Sequence, residues 1–154
     1  MAGDEYPEPR YASWGQRAGA LLLDGLVIVA PFFLLAFVLL LVIGPDDNSA
    51  TDDSAGYGAL VGIVAMIVAP FYFTLMHGRP SGQTLGKRAL KIAVRREGSL
   101  ASIGYGRAFG RAVIFSLFLA TSTLLIDILW PLWDRRKQAL HDKVVSSVVV
   151  RTDG

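Results

Sequence analysis

The stretch Gly25–Gly44 contains no charged residue, and this feature limits the possible folds of the chain more than any other. A helix of about 20 apolar residues reaches across a bilayer. A second uncharged stretch, Ala55–Met76, repeats the signal, and the hydrophobic residues, 53% of the chain, gather in blocks instead of alternating. The pattern predicts an all-α integral membrane protein with two clear transmembrane helices, at about 14–43 and 56–76. A third apolar segment, 105–133, contains Asp127, Pro131 and the polar run Thr121-Ser122-Thr123. It is short for two crossings, and Arg135, Arg136, Lys137 and Lys143 follow it at once. A broken or re-entrant helix turning near Thr121–Thr123 reconciles the length with the charges.

Charge placement then orients the chain. His77–Arg111 holds eight lysines and arginines against Glu97 alone, so the basic segment 77–104 is expected on the cytoplasmic side. The loop 45–55, with Asp46, Asp47, Asp52 and Asp53 and no base, is expected outside. Residues 1–13 are expected to form a flexible cytoplasmic tail. The acidic opening Met1–Arg10 and the long first apolar run do not fit a cleavable signal peptide. The β-branched segment 144–151 is expected to pair as a strand with Ala89–Arg96 in a small β-ribbon, which puts the C-terminus on the cytoplasmic side too. The predicted location is the cell membrane, multi-pass.

Arg17 and Asp24 stand at the head of the first apolar run. Seven residues are about two helical turns, so the two side chains share a face. An acid at the centre of a bilayer costs roughly 2.5–3.5 kcal/mol on insertion scales, so Asp24 requires a polar partner. Arg17 and Asp24 are candidates either for an intramembrane proton or cation site or for a structural pair. Asp127 is a further candidate: near Asp24, two acids in a low dielectric disfavour double ionisation. The alternative places Asp127 at the interface, capped by Arg135 or Lys137.

The remaining bases, Lys87, Arg88, Arg95, Arg96, Arg107, Arg111, Arg135 and Arg136, are expected to contact anionic lipid headgroups or a partner. The net charge is only +2 and no nucleic-acid motif accompanies it, so no nucleic-acid partner is expected. The absence of cysteine excludes disulfides and thiol chemistry. Gly82-Gln83-Thr84-Leu85-Gly86-Lys87 is one residue short of a phosphate loop between its glycines, and Arg88 stands where Ser or Thr is needed. His77 and His141, the two histidines, make a weak metal set. No cofactor is expected, and no nucleophile–base set points to an enzyme.

Three blocks in order, Trp14-Gly15-Gln16-Arg17-Ala18-Gly19-Ala20 with Asp24, Ser81-Gly82-Gln83-Thr84-Leu85-Gly86-Lys87-Arg88, and Trp133-Asp134-Arg135-Arg136-Lys137-Gln138-Ala139-Leu140-His141-Asp142-Lys143, resemble the RDD family of small prokaryotic membrane proteins. On this resemblance the family's arginine maps to Arg17, its first aspartate to Asp24 and its second to Asp142, with Asp127 as a rival. Where the family ends in a Gly-Thr step, this chain has Ser146-Ser147. The resemblance implies a membrane compartment and transport as the usual suggestion. Two functions are therefore expected: transport of a cation or proton past Arg17 and Asp24, or a non-catalytic adaptor that binds a partner membrane protein or a second copy through its basic face. A buried Asp142 would need a base, and Arg17 and Arg88 are the candidates.

Overall fold

The computed structural model describes residues 9–43 and 66–152, with the side chains of 32, 35, 36, 39, 40, 42 and 43 left out. The first helix, α1, runs over Trp14–Ile43. Its start is set by a reciprocal cap: Ser13 N–H donates to Gln16 Oε1 at 3.0 Å, and Gln16 N–H donates to Ser13 Oγ at 3.2 Å. This satisfies two backbone donors that the first turn would otherwise leave open. Ala20, Asp24 and Ile28 form its buried face, at the four-residue spacing of a helix stripe, while Leu22 and Leu26 turn outward.

A second helix, α2, is described over 66–78. A turn with Gly82 in the left-handed region (φ 59°) leads to the short helix α3, Leu85–Ala89. A side chain at Gly82 would place its Cβ 2.3 Å from the Val94 carbonyl oxygen, so the position is closed to anything larger. Strand β1, Ile92–Arg96, follows, then α4, Gly104–Ala120. The chain breaks at Thr121–Thr123, where Ser122 has φ 57°, and resumes as α5, Leu124–Leu129, and a single 3-10 turn, Trp130–Leu132. Helix α6, Leu140–Val144, and strand β2, Ser147–Arg151, complete the described fold.

β1 and β2 pair antiparallel, with Ile92 opposite Arg151 and Arg96 opposite Ser147. The ribbon is therefore shorter at both strands than 89–96 and 144–151. Residues 10–12 extend it: Ala12 N–H donates to the Val149 carbonyl at 2.9 Å, and Arg151 N–H donates to the Arg10 carbonyl at 2.8 Å. The segment expected as a tail over 1–13 thus includes a piece held against β2. The apolar core is small and lies where the ribbon meets the helices, built from Ala12, Ala20, Ile92, Val94, Ile103, Ala108 and Val149.

The expected class, an all-α integral membrane protein with two clear transmembrane helices and a third broken segment, is corrected by the structure. The fold is mostly helical with a small two-stranded sheet, and among the described residues no helix is long and apolar enough to cross a membrane. In α1 the opening turns carry Arg17 and Asp24, both committed to polar partners within the fold, and Pro31 lies within the apolar remainder. The helix expected over 56–76 is described only from residue 66. The segment 105–133 is divided: α4 begins at Gly104 and carries Arg107 and Arg111, and α5 is only six residues long. The acidic loop expected over 45–55 lies outside the described residues.

Candidate functional site

Two buried polar clusters tie the three sequence blocks together. The first is built on Asp24, fully buried in α1. Its Oδ1 accepts from the Tyr72 hydroxyl at 2.9 Å and from Gly86 N–H at 2.8 Å, and its Oδ2 accepts from Thr84 Oγ1 at 2.6 Å. Thr84 also caps α3, taking the Lys87 N–H at 3.2 Å. Gly86 is required here because a Cβ would sit 2.2 Å from the Ala20 carbonyl oxygen and 3.1 Å from Asp24 Cγ. The charge at Asp24 is therefore met by three hydrogen-bond donors instead of a paired base, which is how a buried carboxylate avoids the cost of an unsatisfied ion.

The second cluster is built on Asp142, also fully buried, in α6. Arg17 Nη2 and Arg111 Nε (2.8 Å) both donate to it, as do Ala139 N–H and Ser147 Oγ, each at 3.1 Å. Arg17 also reaches the Lys137 carbonyl through Nη1 at 2.6 Å. Burial alone raises the Asp142 carboxyl pKa, but Arg111, then Arg17, outweigh it and hold the group well below the usual carboxylate range.

Arg111 is the hub. Besides Asp142, its Nη1 lies 3.2 Å from His77 Nδ1 and its Nη2 lies 2.9 Å from His141 Nε2. A guanidinium only donates, so His141 Nε2 must be the acceptor and the ring proton must sit on Nδ1. Nδ1 points to Asp127 Oδ2 at 2.6 Å, while Asp127 Oδ1 takes the His141 backbone N–H at 2.9 Å. His141 is thus held neutral. Burial first, and then Arg111, push its pKa down, and burial with Lys87 and Arg111 does the same to His77. The Asp127–His141 pair has the outline of an acid–base dyad, but the nitrogen that would take a substrate proton already receives one from Arg111.

The second cluster borders a half-open cavity of about 680 Å³ including its mouth. Its lining includes the polar side chains of Arg17, His77, Lys87, Arg111, Asp127 and His141 and the apolar ones of Leu21, Phe73, Phe115, Ile128 and Pro131. Trp14 also lines it, fixed by its indole N–H donating to the Ile128 carbonyl at 3.0 Å.

Arg17, Asp24, Asp127 and Asp142 are all brought inside, but Arg17 pairs with Asp142 and not with Asp24. Arg88 does not reach Asp142; Arg111 takes that place. Asp127 is met by His141, and neither Arg135 nor Lys137 caps it. Of the bases expected on the surface, Lys87 and Arg111 are buried, and Arg95 is half-buried with Nη1 donating to the Pro80 carbonyl at 2.9 Å. Arg136 pairs with Glu97, while Arg88, Arg96, Arg107 and Arg135 are exposed. Tyr72 escaped the sequence reading. Its only signal was a polar hydroxyl within an uncharged run. Among the described residues, no group of three or more His, Cys, Asp or Glu is arranged to hold a metal ion.

Comparison with known proteins gives a family. The model of the RDD family matches residues 11–146. The chain is 27% identical to the "Proline-rich antigen" of Mycobacterium leprae (strain TN), over 92% of this chain and 61% of that protein. It is also 33% identical to the "Proline-rich antigen homolog" of Mycobacterium tuberculosis (strain ATCC 25618 / H37Rv), over 45% of this chain and 28% of that one. The chain thus spans less than two thirds of the length of these relatives. No solved structure matches it.

Proposed function

This chain belongs to the RDD family, whose members are generally membrane-associated, and from that premise we propose that it is a non-catalytic adaptor, which binds a membrane surface or a membrane partner through outward-turned basic and apolar side chains. One observation carries this reading. The acids Asp24, Asp127 and Asp142 are each held by donors of the fold itself, whereas Arg79, Arg88, Arg96, Arg107 and Arg135 face outward. Exposed apolar side chains accompany them, among them Leu22, Leu26 and Phe33 of α1, Phe71 of α2, and Phe109 and Leu117 of α4. Apolar surface of this extent on a folded chain marks contact with a membrane or a partner, and bases beside it favour anionic headgroups.

Cation transport past Arg17 and Asp24 needs a carboxylate free to exchange partners. Asp24 has three donors and Asp142 has four. Catalysis is disfavoured by the donor already seated on His141 Nε2.

Flotation with vesicles tests the reading. Binding is expected to be tighter to anionic than to neutral lipid and to weaken with salt, since each base near an anionic surface contributes about 1 kcal/mol. Changing Arg88, Arg96 and Arg107 together to Gln should weaken it. Equal binding to both lipids, or cation-dependent flux in proteoliposomes that Asp24→Asn abolishes, would overturn the proposal.

A further inference from the structure

Lys87 is the group that the two clusters leave over. It lies in α3, is 7% exposed, and lines the cavity. Among the described residues its ammonium has no hydrogen-bond or ion-pair partner. Asp24 already accepts from Tyr72, Thr84 and Gly86, and Asp142 from its two arginines, Ala139 and Ser147. Both oxygens of Asp127 are occupied by His141. A cation largely withdrawn from water and without a partner is costly, and this one shares the cavity lining with Leu21, Phe73, Phe115 and Ile128.

We propose that the cavity binds an amphiphilic monocarboxylate, its head on the Lys87 ammonium and its chain against Leu21, Phe73, Phe115 and Ile128.

The chemistry follows from what is free. Arg17 and Arg111 are committed to Asp142, so one cation is available for the head. A singly charged carboxylate matches it; a phosphate monoester would bring a second negative charge beside Asp127 and Asp142. The head has only one cation to meet, and the walls are hydrocarbon and aromatic, as in sites that take apolar chains with one polar anchor. Burial, and then Arg111, lower the Lys87 pKa to about 7, and a bound carboxylate raises it again. Binding at pH 8 therefore takes up a proton. The site is separate from the outward bases, so it does not depend on the membrane-surface reading.

The test is calorimetric titration of the protein in nonionic detergent with decanoate, below its micelle concentration, beside decanol and decyl phosphate. Saturable 1:1 decanoate binding is expected, at least tenfold tighter than decanol and decyl phosphate. Repeating the titration at pH 8 in buffers of different ionisation enthalpy should show uptake of up to one proton. Lys87→Met should weaken decanoate binding by tenfold or more, while the exposed neighbour variant Arg88→Met leaves it unchanged. Lys87→Met removes a charge without breaking a side-chain hydrogen bond or ion pair, so it should remain folded, which circular dichroism checks. Undiminished binding by Lys87→Met, no saturable binding by the parent protein, or equal affinity for decanol or decyl phosphate would each sink the proposal. Vesicle flotation of Lys87→Met should match the parent; its loss would count against the separateness of the two sites, not against the surface reading.

Discussion

Arg17 donates to Asp142, 125 residues away, and not to Asp24, seven positions along its own helix. The shared face of α1 is real, for Asp24 is buried and Arg17 is largely so, yet the two look to different segments. Asp24 holds α3 against α1 through Thr84 and Gly86, while Arg17 holds the α5–α6 connection through Lys137 and Asp142. One helix face thus gathers both later blocks.

Removing Asp142 strands two buried guanidinium groups. Asp142→Asn is expected to destabilise the fold by about 3–5 kcal/mol, the range for breaking a buried ion pair from one side. Asp24→Asn, which loses hydrogen bonds but strands no cation, should cost about 1–3 kcal/mol. Urea unfolding in mild detergent measures both, and a larger cost for Asp24→Asn would contradict the assignment of partners.

A double-mutant cycle separates the two aspartates more sharply. Arg17→Ala with Asp142→Ala should show a coupling of about 1–3 kcal/mol, as expected for side chains in contact. Arg17→Ala with Asp24→Ala should couple less strongly, since no donor serves both acids. Equal couplings would mean that Arg17 is shared.

Lys87 sets a dependence on alkaline pH. Its folded pKa, about 7, lies below the unfolded value near 10.4, so between these limits the unfolded chain holds the extra proton. Stability should rise with pH across roughly 7–10 and fall toward 7. Lys87→Met should therefore be more stable than the parent at pH 7, with the advantage shrinking at pH 10. Thermal melts at the two pH values decide it.

The acid side depends on His77 and His141, both held neutral with lowered pKa values. Their unfolded forms protonate near pH 6.5, so stability should fall as pH drops below that point, and Asp142 extends the loss below about pH 4. A stability curve flat from pH 7 to 5 would show that the rings are charged in the fold.

Gly86 is a steric test of the α1–α3 contact. Gly86→Ala would drive a methyl into the Ala20 backbone, at a cost of about 1–3 kcal/mol or more. Gly15→Ala, in the first turn of α1 with open space around it, should be neutral or gain up to about 1 kcal/mol. Parallel melts of the two variants compare them.

Much of the local structure was legible. The β-branched residues of 144–151 marked the ribbon, the onset of the apolar run marked the start of α1 near Trp14, and the Thr121–Thr123 run marked the break after α4. The uncharged runs were less reliable as a guide to class. Over 105–133 the break stands at the left-handed Ser122, but the pieces beside it are not long apolar helices: Arg107 and Arg111 lie within α4, and α5 has only six residues. Lys87 and Arg111 were legible only as bases in a basic segment, because whether a base faces water or the interior is set by packing against other elements.

By itself the sequence determined which residues belong together: three blocks in order, an arginine and an aspartate on one helix face, and two strands to pair. Only the tertiary structure decided the partners. Asp142 had several bases to choose from, and the placement of α4 beside α6 brought Arg111 to it, leaving Arg88 outside. Helical period and strand alternation act between near neighbours in the chain, whereas ion-pair choice depends on distances through space, which exist only once the helices have packed.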